Sequence, residues 1–459
     1  MTLAERLAHY VTALRYEQLP PETVHEVKRR WIDSIACAFG AWRSETADLV
    51  RRVATQVSSP YGATILGTSH KASPDWAAFA NGLLIRYLDY NDTYLSKEPA
   101  HPSDNLAAVW AVAEAESATG REAIVATVLA YEIQCRLCDA ASLRARGWDH
   151  VNYGLFSASA AAARLMGLNA EATRHAMSIA GVSGIAMRQT RVGELSMWKG
   201  CAFANASRHA VFASWLAKHG MTGPSEIFEG KMGFMKQVAG EFTLGALGGE
   251  EGRPFMINET YIKYFPVEYH AQSAVWAALA LREQIGGDPS RIEAVEIDTF
   301  EASYSIIGSE PEKWAPKSRE TADHSLPYIV GVALLDGKID LDSFAPSRYT
   351  DPSLLAFLQR IRVRHDPALD AGYPAGIPNR ITLRLHDGTS RTEQNTFPRG
   401  HARNPMSDEE VEAKFRRLTD WALPPARQDE VLHFLWNLEA QAHLQPLLEM
   451  LRVEQEFTR

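Results

Sequence analysis

The feature that most constrains this chain is its helical patterning. Over the first ~250 residues, apolar side chains recur at three- and four-residue spacing, segment after segment. The clearest stretches are VHEVKRRWIDSIACAFGAW, DWAAFANGLLIRYLDY and NLAAVWAVAEAE. Stop signals separate them: Gly120, the run Gly167-Leu168-Asn169, Gly220 and Pro224. Two further helices, SASAAAARLMG and GCAFANASRHAVFASWLAKHG, are rich in small residues. Small side chains let helix axes approach closely, so these are expected at the centre of a bundle.

The pattern changes near residue 260. RIEAVEIDTF reads as a strand, and RITLRLHDGTSRTEQNTF as a hairpin turning at Asp387-Gly388. Between them, SLPYIVGVALLDG reads as a helix. In NPMSDEEVEAKFRRL, Ser407 is the expected N-cap, and Glu410 completes a capping box. The C-terminal ~50 residues return to helical spacing. The expected fold class is mainly α with an inserted α+β domain. An all-helical bundle from 1–264 and 401–459 would carry a smaller α+β domain at 265–400.

Composition limits the function. The 459 residues carry a net charge of −9, with 46% hydrophobic and 22% charged residues. That balance argues against non-specific nucleic-acid binding, which needs a basic footprint. It leaves room for an anionic substrate, because a pocket can be locally basic on an acidic protein. The N-terminus lacks the apolar core of a signal peptide, and no apolar run reaches the roughly 18 residues of a membrane span. A cytoplasmic protein is therefore expected. Cys37, Cys135, Cys138 and Cys201 are too few for a disulfide framework. Cys135 and Cys138 form a CxxC, but in a stretch that reads as a buried helix with no second CxxC, so core packing is expected.

Five polar segments precede apolar helices. In RYLDYNDTY, continuation of the helix would put Arg86, Asp89 and Thr93 on one face. His101 follows between Pro99 and Pro102, and Ser103 is placed to cap the next helix, whose N-terminal N–H groups could receive an anion. In RARGWDHVNYG, Trp148, His150 and Tyr153 fall together, and MRQTRVGELSMWKG brings Arg188, Arg191 and Lys199 within a short span. In YIKYFPVEYHAQSA, Lys263, Glu268 and His270 lie close together. In RETADHSLPYIVG, Asp323 can orient His324, with Tyr328 one turn beyond. Each alone is compatible with a salt bridge or a structural loop histidine. Together they have the form of a pocket at one end of a bundle. HExxH, Walker A, GxGxxG and GxSxG patterns are absent, and the histidines lack metal-ligand spacing, so neither a metal nor another cofactor is expected.

These segments resemble the MmgE/PrpD family, which includes 2-methylcitrate dehydratases and cis-aconitate decarboxylases. The likeness spans nearly the whole chain, through WIDSIACAFG, RYLDYNDTY, HPSDN, RGWDHVNYG, GELSMWKG, KYFPVEYHAQSA, ADHSLPYIVGVALLDG and FPRGHARNPMSDEEVEAKF in order. It implies an all-helical domain with an inserted lid domain, a homodimer, and lyase chemistry without an iron–sulfur cluster. By position in the motifs, it implies catalytic roles for Asp89, His101, His150, Lys199 and Lys263. Substrate contacts are implied for Thr93, His270 and Tyr328, with Arg86 and Asn91 added from this chain's own variant of the motif. Many members carry a histidine near Arg86 and an aspartate at Asn91. RYLDYNDTY followed by KEPAHPSDN, and FPVEYHAQSA, look more like the 2-methylcitrate dehydratase branch.

The implied reaction removes a proton beside a carboxylate and expels hydroxide from the neighbouring carbon. Cations must stabilise the developing enediolate, and an acid and a base must move protons. Lys199, Lys263 and Arg86 are candidates for the first task. His101 and His150 are candidates for the second, and Asp89 could orient a histidine or act as base. Decarboxylation of cis-aconitate and epimerisation of an amino-dicarboxylate are the alternatives within the family. A non-catalytic tricarboxylate-binding protein is the alternative outside enzymes.

Overall fold

The computed structural model describes residues 1–193 and 195–454. These divide into two units. The first takes in Met1–Gly193, Met197–Thr260 and the chain from Ser407 to residue 454, and the second is built on Tyr261–Met406.

The first unit is helical. Its elements are α1 (Leu3–Ala13), α2 (Pro21–Ala41), α3 (Glu45–Ala54), α4 (Pro74–Arg86), α5 (Leu106–Ala115), α6 (Gly120–Ala140), α7 (Asn152–Leu165), α8 (Ala170–Ser183) and α9 (Trp198–Lys218). A two-stranded ribbon, β1 (Ala63–Thr64) and β2 (Lys71–Ala72), interrupts them. The helix starts follow local chemistry. Thr2 with Glu5 and Thr119 with Glu122 form capping boxes, and α2 and α4 open on proline, which lacks only an N–H that the first turn leaves unbonded.

Small residues set the packing that matters for the site. A Cβ on Gly82 of α4 would lie 3.0 Å from Ala204 of α9, and one on Gly200 would lie 3.4 Å from the Tyr87 ring. The two helices therefore run antiparallel in close contact, and the C-terminal end of α4 meets the first turn of α9. α7 is buried along almost its whole length, so the Ala-rich stretch is central as its composition predicts. Cys135 and Cys138 lie buried in α6 as free thiols, and burial pushes both well above the ordinary thiol range.

The second unit holds α10 (Gln272–Gln284), β3 (Ile292–Thr299), α11 (Leu326–Asp336), α12 (Pro352–Leu358), β4 (Ile361–His365), β5 (Asn379–Leu385) and β6 (Ser390–Asn395). The sheet order is β4-β3-β5-β6, with β3 parallel to β4 and antiparallel to β5. Val295 pairs with Leu383 and Ile297 with Ile381. These four side chains join Val275 and Leu281 of α10 and Ile329 and Val330 of α11 in one core. The hairpin β5–β6 turns at Asp387-Gly388, where Gly388 has φ 82°.

The chain then returns to the first unit through α13 (Asp408–Thr419), α14 (Pro425–Trp436) and α15 (Gln445–Met450). Ser407 and Glu410 form the capping box that opens α13. The units part at Thr260/Tyr261 and at Met406/Ser407, so Lys263 lies in the second unit rather than in the helical one. The reason is local: the Tyr261 ring stacks on Tyr269 and His401, which belong to the second unit. No described helix is long and apolar enough to cross a membrane.

Candidate active site

α4 stops at Arg86, and the expected helix through Thr93 does not form. Asp89 instead adopts the left-handed region, at φ 51°. The physical reason is that the next residues find better partners in the returning loop. Asn91 Nδ2 donates to Ser103 Oγ at 2.9 Å and to Asp104 Oδ1 at 2.7 Å. The Asp92 carboxylate accepts the Ser103 N–H at 2.8 Å and the Tyr131 hydroxyl at 2.7 Å. Thr93 Oγ1 donates to the Ala100 carbonyl at 3.0 Å, so its hydroxyl ties the loop together. Arg86, Asp89 and Thr93 thus share no helical face. Ser103 provides no side-chain cap either: the turn Pro102–Asn105 precedes α5, and the anion on its N-terminal N–H group is the protein's own Asp92.

The turn nevertheless builds a charged cluster. Arg86 meets Asp89 through Nη1–Oδ1 at 2.9 Å and Nη2–Oδ2 at 3.2 Å. Lys199 Nζ, from the first turn of α9, lies 2.8 Å from the same Asp89 Oδ2. A cation at a helix N-terminus opposes the helix dipole, so the Asp89 carboxylate offsets an otherwise unfavourable placement. Arg86, Asp89 and Lys199 are all buried.

His101 stands beside this cluster with a defined tautomer. Its Nδ1 is 2.8 Å from the Asp92 carbonyl, which can only accept, so Nδ1 carries the hydrogen. Its Nε2 is 3.0 Å from Arg86 Nη2, which can only donate, so Nε2 presents a lone pair. The His150 ring centroid lies 5.8 Å from that of His101. His150 Nδ1 is 3.1 Å from Asp149 Oδ1, and its buried Nε2 has no hydrogen-bond partner among the described residues. Burial, then the Arg191 charge, push His150 well below the ordinary histidine range. Burial would raise the Asp149 carboxyl, but Arg191, bound at 2.9 and 3.0 Å, and His150 more than reverse this and hold it low. Asp104 is buried 3.8 Å from Arg86 Nε, and burial pushes its carboxyl up to about 7.

The second unit holds a separate polar group. The Glu268 carboxylate accepts the His270 N–H and faces His270 Nδ1, each at 2.8 Å, so one side chain both caps the turn before α10 and orients the ring. His270 Nε2 is buried, with no hydrogen-bond partner among the described residues, and Phe300 and Tyr373 flank the ring. Asp323 Oδ1 lies 2.5 Å from His324 Nδ1, and the Asp323 carbonyl accepts the Glu268 N–H at 2.9 Å. Burial would raise Glu268, but His270, His324 and Lys263 outweigh it and hold the carboxyl at about 2. Tyr328 is not part of this group. It is fully buried in the core of the unit, and its hydroxyl donates to the Ser343 carbonyl at 2.6 Å.

Among the residues predicted from sequence, the structure groups Arg86, Asp89, His101, His150 and Lys199 in the first unit. Lys263 and His270 lie in the second, and Asn91, Thr93 and Tyr328 are engaged in holding loops or core. Asp92, Asp104 and Asp149 have defined places at the site and were not among the predicted site residues, whereas Arg191, one of the three cations singled out in MRQTRVGELSMWKG, is bound to Asp149. Asp149 had a visible signal, since it precedes His150 as Asp323 precedes His324. Among the described residues, no three His, Cys, Asp or Glu side chains are grouped to hold a metal ion.

A helical unit carrying a buried Arg–Asp–Lys cluster beside a histidine is thus joined in sequence to a smaller α+β unit. Residues 5–246 match the MmgE/PrpD N-terminal domain, and residues 265–439 match the MmgE/PrpD C-terminal domain. The chain belongs to the MmgE/PrpD family. It is 31% identical to the 2-methylcitrate dehydratase of Cupriavidus necator, with 93% of this chain and 91% of that protein aligned. It is 32% identical to the alkylcitrate dehydratase phiI of a fungal species, over 90% and 86%. It is also 32% identical to the 2-methylcitrate dehydratase of Escherichia coli K12, over 81% and 80%.

Proposed function

We propose that this protein is a hydro-lyase that dehydrates 2-methylcitrate, or a closely related tricarboxylate, to the corresponding cis-aconitate and water. The similarity to enzymes named for this reaction supports the reading. The observation that carries it is the Arg86–Asp89–Lys199 cluster beside the His101 lone pair. Two buried cations already hold one carboxylate, that of Asp89, so their chemistry suits the carboxylate of a substrate.

In this reading Arg86 and Lys199 bind the carboxylate beside the carbon that is deprotonated. Their charges stabilise the enediolate as it develops, in a setting where water does not screen them. A substrate carboxylate that takes over the Arg86 donor releases His101 Nε2 to accept the proton. The C–H electron pair then becomes the new double bond, the neighbouring C–O bond breaks, and the departing hydroxide leaves as water after protonation. His150, whose buried Nε2 has no hydrogen-bond partner among the described residues, is the proposed donor once it has taken up a proton with the substrate. The cations supply the charge stabilisation that a metal supplies elsewhere, so the reaction is proposed to need none. Lys263 and His270 are proposed as functional groups of the second unit, which would serve as the family's lid. A cytoplasmic homodimer is the proposed working form.

The test is turnover by chelator-treated protein, followed at 240 nm and by product NMR with 2-methylcitrate, citrate and cis-aconitate. An unsaturated tricarboxylate and water are expected. Release of carbon dioxide from cis-aconitate would replace dehydration by decarboxylation, and loss of activity restored only by a metal would overturn metal independence. Sedimentation analysis tests the dimer; a monomer at micromolar concentration would remove it.

A further inference from the structure

The turn that carries Asp89 is gripped from the far end of the chain. The left-handed conformation of Asp89 is unfavourable for a residue with a Cβ and persists only where the surroundings over-determine it. The next residue, Tyr90, is buried and held at three points. Its carbonyl accepts a hydrogen bond from Lys414 Nζ at 2.8 Å, 324 residues away in sequence. Its ring faces the same ammonium, 3.7 Å from Nζ to the ring centre. Its hydroxyl accepts from Arg417 Nη2 at 2.9 Å. Lys414 and Arg417 both project from α13, which belongs to the same unit as α4 and α9. Behind Lys414 stands Asp33 of α2, 2.6 Å from Nζ. Lys414 and Asp33 are 1% and 0% exposed, so the pair cannot exchange its partners for water.

A buried ion pair is by itself weak evidence of a stabilising role, because desolvation offsets much of the attraction. This pair has a more specific consequence. With its carbonyl, ring and hydroxyl held, Tyr90 cannot swing to let Asp89 relax into the ordinary backbone regions. We propose that Lys414 is a positioning residue for the reaction: by clamping Tyr90 it keeps Asp89 in the conformation that delivers its carboxylate to Arg86 and Lys199. The inference rests on the reading of that cluster as the active site.

The experiment compares kcat/KM and thermal midpoint for Lys414→Met, for the pair Asp33→Asn with Lys414→Met, for Asp89→Asn, and for Lys414→Met combined with Asp89→Asn. Misplacement of a reacting group by about 1 Å costs on the order of 10²-fold in rate, and a loss of that size is expected for Lys414→Met. The Asp33→Asn/Lys414→Met pair leaves no orphaned buried charge, so its midpoint recovers toward wild type while its rate stays low. In the Asp89→Asn background, Lys414→Met lowers the rate by less than about threefold, because the two residues act through one group. Lys28→Met, which removes another buried lysine bonded to the C-terminal helices, keeps full activity. Recovery of rate together with midpoint in the pair variant would overturn the inference, as would full multiplication of the two losses. Full activity of Asp89→Asn would overturn the site reading itself, and this inference with it.

Discussion

The two units each hold a polar cluster, and the clusters are built in opposite ways. In the second unit, Glu268 and His270 are two residues apart and Asp323 and His324 are adjacent, so each dyad is made by a turn of its own chain. In the first unit, Arg86, His101, His150 and Lys199 come from separate stretches: α4 packs closely on α9 to bring Arg86 and Lys199 onto Asp89, and His101 bonds Arg86 with the His150 ring beside it. A dyad made by a turn can orient one ring. A convergent cluster can set two cations, a carboxylate and two rings around one point, which is what removing a weakly acidic proton requires. On the proposed function the heavier chemical burden falls on the first unit, and substitutions can test that ranking.

The largest effect is expected at Lys199. Lys199→Met removes a cation proposed to stabilise the developing charge, and losses of about 10²–10³-fold in kcat/KM accompany the removal of such groups. His101→Gln removes the proposed base and should cost about 10²-fold. For the second unit, His270→Gln should cost only about tenfold, the scale of one hydrogen bond to a charged group. The 240-nm assay gives all three. A loss at His270 equal to that at Lys199 would break the ranking, and near-wild-type rates at Lys199 and His101 would remove the first cluster from the site.

The fold was legible where the signal is local. Periodicity marked the helices, Asp387-Gly388 marked the hairpin, and Ser407 with Glu410 marked the start of α13. The site was legible as residue types but not as geometry. Nothing in RYLDYNDTY shows that the helix ends at Arg86, because the groups that end it, Ser103, Ala100 and Tyr131, lie in other segments. Lys414 was invisible for the same reason: it sits on an amphipathic helix whose visible feature is its cap. Asp149 could have been read beside His150, since carboxylate–histidine adjacency was recognised at Asp323–His324.

The clusters also differ in how they respond to pH. Glu268 titrates at about 2 in the folded protein, below its ordinary value near 4.3, so its stabilisation is fully present above that value and lost as pH falls toward 2. Asp104 titrates at about 7, above its ordinary value near 3.9. Its protonated form is the favoured one, so that contribution is present below pH ~4 and lost as pH rises through 7. The shifts correspond to on the order of 3 kcal/mol for Glu268 and about 4 kcal/mol for Asp104. Urea midpoints measured from pH 3 to 8 should show Glu268→Gln flattening the acid side and Asp104→Asn flattening the decline toward neutral pH. An unchanged slope in either variant would show that the corresponding carboxyl is not shifted.

The smallest expected effect sharpens the comparison at its edge. The resemblance to the family points to Tyr328 as a substrate contact, whereas its hydroxyl is committed to the Ser343 carbonyl inside the core of the second unit. A hydroxyl that reaches substrate and one that closes a core differ in what their removal does. Tyr328→Phe keeps the ring and leaves one carbonyl without its donor, which costs about 1 kcal/mol of stability. It should therefore lower the thermal midpoint while kcat/KM stays within about threefold of wild type, below the scale of one lost hydrogen bond to a charged group. A tenfold fall in kcat/KM with an unchanged midpoint would mean that Tyr328 leaves Ser343 when substrate binds. The second unit would then rearrange during turnover, and its share of the chemistry would have to be raised.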